Sequence, residues 1–266
     1  MAESNSLPPA ESGERRQSIA GVMGPEKFRQ YMLETARRHE AAVARKALMA
    51  LVAADEETPD FVRLVTRDFS DGPWGFAIVR GTAYEDDDVW KDFRRAFTDR
   101  LELAFTEQLE AAGVKEAKDN FTIQWIEDPS LQDADVETVA RKYGGTHGSL
   151  PHGLAHMFCL SVTRQSLDSV MRPSTKHYAK IPFVQVVGCV GVDAEWDLDF
   201  KQFAEVEGQP YPARFKVAVD SLLSKLFSLV GDRGDDSIAV DEISGYVKED
   251  ETWTDDTSEV LIKVFP

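Results

Sequence analysis

Apolar and polar residues alternate most clearly from Trp74, where the chain reads W-G-F-A-I-V-R-G-T-A-Y. Side chains on a strand point to opposite faces in turn, so Trp74, Phe76, Ile78, Arg80 and Thr82 share one face and Gly75, Ala77, Val79 and Gly81 the other. The small face predicts close approach of the following helix. The bulky face then needs another cover: a second sheet, a partner subunit or a ligand. Asp86, Asp87 and Asp88 follow, at the helix start that carboxylates favour. Trp90, Phe93, Phe97, Leu101, Phe105 and Leu109 then recur at helical spacing, with Gly113 as the expected cap.

The same reading extends along the chain. Residues 1–24 are rich in Ser, Pro, Glu and Gly and are expected to be disordered, with one α+β domain over 25–266. Pro25 opens a helix that runs to about Ala53. Alternation in V-R-L-V-T suggests a short strand or an extended lead-in within Phe61–Phe69. Strands are predicted over Phe121–Trp125, His156–Thr163 and Ile181–Val192; the last is almost wholly apolar and hence central. A short helix is predicted at Asp133–Lys142 and a helical turn at Ser166–Met171. Pro210-Tyr211-Pro212 leads into a predicted helix from Phe215 to Val230, and Val260–Phe265 reads as an edge strand or an extended terminal segment. This order suits a ferredoxin-like α+β sandwich, a mostly antiparallel sheet with helices on one face.

Charge narrows the function classes. The net charge is −17, and residues 231–259 hold eleven Asp and Glu against two basic residues. Nucleic acid and anionic membranes both select a basic footprint, so neither is an expected partner. The two cysteines, Cys159 and Cys189, lie in apolar runs, as buried thiols of a reducing compartment do, with a single structural disulfide as the alternative. The N-terminal stretch lacks the apolar core of a secretory signal, and no apolar run approaches a membrane span. A cytoplasmic protein is expected. Neither G-x-G-x-x-G nor G-x-x-x-x-G-K-[ST] occurs, so no nucleotide cofactor is expected.

W-G-F-A-I-V-R with Tyr84, the Asp run and Trp90, together with I-Q-W-I-E-D-P and V-E-T-V-A-R-K-Y, resembles a signature of uncharacterised proteins of filamentous fungi. The resemblance covers Trp74 to Tyr143 and is weaker to about Val230. It implies a cytosolic fungal α+β protein and brings no catalytic residues.

Candidate chemistry is sparse. Arg80, on the bulky face, must find a carboxylate, water or an anion. With Tyr84, Trp74, Trp125, His156 and His177 it forms the candidate ligand set. His147, His152 and His156 lie close enough in sequence to be weighed as zinc ligands, without the H-E-x-x-H pattern. The acidic region lacks the calcium-loop pattern. The sequence therefore favours a non-catalytic binding or interaction module with a protein partner or a second copy of itself. A small-molecule enzyme of the dimeric α+β barrel type and a metal-dependent hydrolase are the alternatives.

Overall fold

The structure, a computed structural model, describes residues 24–69, 72–106, 110–172, 181–189, 211–229, 240, 243–244, 247 and 251–254. His177, the predicted strand over Val260–Phe265 and most of the acidic region lie outside the described residues. The chain divides into two compact units, residues 1–48 and 49–266, with the boundary inside helix α1 (Pro25–Ala54). In the first unit, α1 presents Tyr31, Met32, Leu33 and Val43 exposed. The second unit carries the sheet.

That sheet has six strands: β1 (Trp74–Arg80), β2 (Phe121–Ile126), β3 (Phe158–Val162), β4 (Phe183–Gly188), β5 (Arg214–Ala218) and β6 (Thr252–Trp253), in the order β2-β1-β3-β4-β5-β6. It is mixed rather than mostly antiparallel. β1 runs parallel to both β2 and β3, β4 is antiparallel to β3 and β5, and β6 is parallel to β5. Every residue of β1 is buried, as a strand covered on both faces requires. Two glycines hold its neighbours close. A Cβ at Gly75, whose φ is +140°, would lie 2.1 Å from the Thr122 carbonyl oxygen, and one at Gly81 would lie 2.9 Å from that of Val162.

Helices cover both faces, not one. The bulky face of β1 (Trp74, Phe76, Ile78) joins Leu160, Val162, Val184, Val186, Phe215 and Val217 in the main core. Its cover comes from α2 (Asp60–Asp68), α3 (Asp87–Thr106), α4 (Val114–Asn120), α6 (Arg164–Met171) and a π-helix (Leu222–Phe227). The small face (Ala77, Val79), with Cys159 and Val187, packs against Leu131 and against Val139, Ala140 and Tyr143 of α5 (Val136–Gly144). The helix that follows β1 thus lies on the bulky face, opposite to the expectation. Its large aromatic stripe fills the space beside Trp74 and Phe76, whereas the small face accommodates the slimmer α5. No second sheet or second subunit is required over the aromatic face, because the chain's own helices cover it.

Other departures have local causes. Asp60–Asp68 is a helix, not an extended segment, because Phe61, Val62, Leu64 and Val65 also fit a helical face. The predicted helix from Phe215 begins instead as β5, since R-F-K-V-A alternates and pairs with β4. Gly113, in the left-handed region at φ 81°, precedes α4 rather than closing α3. Among the described residues, no helix is long and apolar enough to cross a membrane.

Candidate ligand-binding groove

Arg80 ends β1 and is 3% exposed. Its Nη1 lies 3.1 Å from Glu127 Oε2 and its Nη2 lies 3.0 Å from Asp87 Oδ1. Nε donates to the Thr82 carbonyl oxygen at 3.3 Å, and Nη2 donates to that of Ala83. The guanidinium lies over the rings of Tyr84 and Trp90, 4.3 and 4.9 Å from their centroids. Glu127 also accepts from Trp90 Nε1 at 3.1 Å and Arg94 Nη1 at 3.2 Å. The Tyr84 hydroxyl donates to the Arg80 carbonyl oxygen at 2.8 Å and accepts from the Asp128 N–H at 2.7 Å; burial pushes this phenol up from its ordinary value. A buried guanidinium needs paired charge and hydrogen bonds on every nitrogen. Arg80 has both from within the chain, so it ties β1, the end of β2 and the start of α3 together instead of presenting a cation to a ligand.

The remaining predicted site residues are likewise engaged. Trp74 is fully buried and donates Nε1–H to the Ala117 carbonyl oxygen at 2.8 Å. Trp125 packs edge-on against Trp90 and lies under the Arg94 guanidinium at 4.9 Å. His156 is buried, stacks on Phe158 and places Nε2 3.0 Å from the Gly75 carbonyl oxygen. A carbonyl only accepts, so Nε2 carries the proton and is not a metal ligand there. His152 packs beside Phe69. His147 Nδ1 lies 3.0 Å from the Gly144 carbonyl oxygen. Among the described residues, no three His, Cys, Asp or Glu side chains are arranged to hold a metal ion. The structure brings Arg80 and Tyr84 together and leaves the three histidines in separate environments.

Cys189 Sγ lies 4.0 Å from His147 Nδ1. Because that nitrogen donates to Gly144, it is not free to take the thiol proton. Burial pushes the Cys189 thiol up to about 11 and raises Cys159 further. Neither cysteine is in a disulfide, and neither is set up as a thiolate nucleophile.

A groove of about 680 Å³ lies at the carboxyl ends of β1 and β3, lined both by side chains engaged within the fold, such as Thr163, Arg164 and Ser244, and by Ser161, Gln185 and Lys216. The sheet order reverses here: the chain passes from β1 to β2 on one side and returns to β3 on the other. In open α/β sheets such a crevice is the usual place for a ligand. Gly81, Ser161, Thr163 and Arg164 form one wall; Gln185, Arg214, Lys216 and Ser244 contribute to the other. Ser161 pairs in register with Gln185, and Gln185 with Lys216, so three polar residues stand in a row across β3, β4 and β5. They belong to the sheet face opposite the main core, beyond the part that α5 covers.

Ser161 is 4% exposed. Among the described residues, its hydroxyl, the Gln185 amide and the Lys216 ammonium form no side-chain hydrogen bond or ion pair; Lys216 Nζ lies 5.5 Å from the Phe183 ring centroid. Ser161 is buried whereas Gln185 and Lys216 are half-buried, so the row is a set of polar groups that open onto the groove. A second cavity, of about 700 Å³, lies between the last turn of α1, α2 and the π-helix. Its Arg63 caps the chain, donating to the carbonyl oxygens of Thr58 and Asp55, and its Arg67 pairs with Asp68. Its Thr66, 5% exposed, and its Lys225 also form no side-chain hydrogen bond or ion pair among the described residues, but they lie on separate helices and form no cross-strand row. Comparisons with protein-family models, with curated proteins and with solved structures give no match.

Proposed function

We propose that the protein is a non-catalytic binding module that takes a small polar molecule in the groove at the carboxyl ends of β1 and β3. The observation that carries this reading is the row Ser161–Gln185–Lys216, whose hydrogen-bonding groups line the groove without partners among the described residues. Neighbours in register stand about 5 Å apart at Cβ, so the row spans roughly 10 Å, the length of a small metabolite. A hydroxyl, an amide and an ammonium over that distance offer donors throughout and acceptors at Ser161 and Gln185.

Binding is favoured over catalysis by what flanks Ser161. Its register neighbours are Val79 and Gln185, and neither side chain can take its proton. The hydroxyl is therefore suited to hydrogen-bonding and not to nucleophilic attack. A cytoplasmic setting belongs to the same proposal, supported by Cys159 and Cys189 standing outside any disulfide, with Cys159 buried.

Ligand-observed NMR of the full chain against a panel of small polar molecules tests the reading. Saturable binding that Gln185→Trp abolishes, with near-UV circular dichroism unchanged, is the expected result; Lys216→Trp blocks the groove from its other end and repeats the test. Binders that both folded variants retain would place the ligand elsewhere and overturn the reading.

A further inference from the structure

We infer that the molecule held in this groove is a small organic anion, with its phosphate or carboxylate between Lys216, Arg164 and the first turn of α6. The inference rests on the groove being a binding site and adds the charge of what it binds. On a chain of net charge −17, Arg164 and Lys216 face one groove, where Asp133 is the acidic side chain among its described walls and Lys216 forms no ion pair among the described residues. Like charges brought together cost free energy unless a counter-charge joins them.

The local structure points the same way. Helix α6 begins at the groove, with the Thr163 hydroxyl 3.2 Å from the Ser166 N–H as its cap. The first N–H groups of a helix lack intrahelical acceptors and favour an anion. Yet α6 has no acidic residue in its first turn and opens with Arg164, a cation at the positive end of the macrodipole. Glu85, 2.6 Å from Arg164, offsets this only in part, because both side chains are about half exposed and well solvated. The independent observation is Ser161: it is 4% exposed, lines the groove, and its hydroxyl has no hydrogen-bond partner among the described residues. A phosphate or carboxylate oxygen would complete it, while the Gln185 amide meets the body of the ligand.

Isothermal titration of the full chain with inorganic phosphate, pyrophosphate and citrate, at ionic strength matched with sodium chloride, tests this. Saturable binding of at least one anion is expected, phosphate and citrate separating the two headgroups. Lys216→Gln should weaken it at least ten-fold, and Arg164→Gln, at an exposed position that leaves the fold intact, about three- to ten-fold. Lys225→Gln, outside the groove, should leave the affinity unchanged. Anions that bind no better than chloride, or equally well to Arg164→Gln and Lys216→Gln, would overturn the inference. If neutral molecules still bind and Gln185→Trp still blocks them, the groove stands as a binding site and only its charge preference falls. If neither anions nor neutral molecules bind, both readings fall together.

Discussion

Arg80 and Glu127 meet at 3.1 Å across the ends of β1 and β2, one 3% exposed and the other open to solvent along one edge. The pair joins two strands that have no short connection, and Asp87 brings the start of α3 to the same guanidinium. This places the arginine in the architecture of the unit.

Removing the guanidinium should be costly for stability. Arg80→Ala leaves a cavity between Tyr84 and Trp90 and strands two carboxylates, at about 3 kcal/mol. Glu127→Gln should cost about 1 kcal/mol, since Glu127 is partly solvated and Asp87 still opposes the charge. Urea denaturation gives both values. An Arg80→Ala variant as stable as the parent would show that the network contributes nothing to stability.

Gly75 should resist substitution. With φ +140° and only 2.1 Å between an added methyl carbon and the Thr122 carbonyl oxygen, Gly75→Ala has to break the β1–β2 pairing. A loss of at least about 3 kcal/mol is expected, seen as a lowered melting temperature or as insoluble expression.

Ser161→Ala should behave in the opposite way. The hydroxyl has no partner among the described residues and its residue is buried, so its removal should be neutral or stabilising by up to about 1 kcal/mol while ligand affinity falls. Thermal denaturation measured with and without phosphate separates the two effects. A clear loss of stability without ligand would mean that the hydroxyl serves the fold.

Asp128 should contribute to acid sensitivity. Hydrogen bonding from Lys142, then from Ser130, holds its carboxyl at about 2, against an ordinary 3.8. A depressed folded-state value means the contribution is complete above about pH 4 and disappears as pH falls through about 2. The stability difference between the parent and Asp128→Asn should therefore be constant at neutral pH and close between about pH 4 and 2 in a pH series of denaturation curves.

The thiols report burial directly. Cys189, raised to about 11, should react slowly with a thiol reagent at about pH 8 and faster as pH rises, whereas Cys159 should react only on unfolding. Mass mapping of the labelled cysteines distinguishes them. Rapid labelling of Cys159 in the native protein would contradict its burial.

Local pattern carried much of the secondary structure. The alternation in β1 and β2, the helical spacing of Trp90, Phe93, Phe97, Leu101 and Phe105, and the apolar run of β4 all survive in the structure. Errors arose where one pattern fits two periods, as at Phe61–Val65, or where a strand runs into a helix, as at Phe215–Phe227. The candidate site was legible only in fragments. Ser161 in F-C-L-S-V, Gln185 in F-V-Q-V-V and Lys216 in R-F-K-V-A are each a polar residue inside an apolar strand, and no one of them signals a site.

By itself, then, the sequence determined that this chain builds an α+β unit, that Trp74–Arg80 is a strand of that unit, and that Arg80 must find a carboxylate, water or an anion. These follow from periodicity and desolvation, which act between residues near in sequence. Which helix covers which face, whether neighbouring strands run parallel, and which side chains stand together were decided only by tertiary structure. α3 lies over the bulky face because the aromatic stripe it carries packs there, and α5 takes the small one. Ser161, Gln185 and Lys216 become one row through strand register alone, since a shift of one residue would turn any of them to the opposite face.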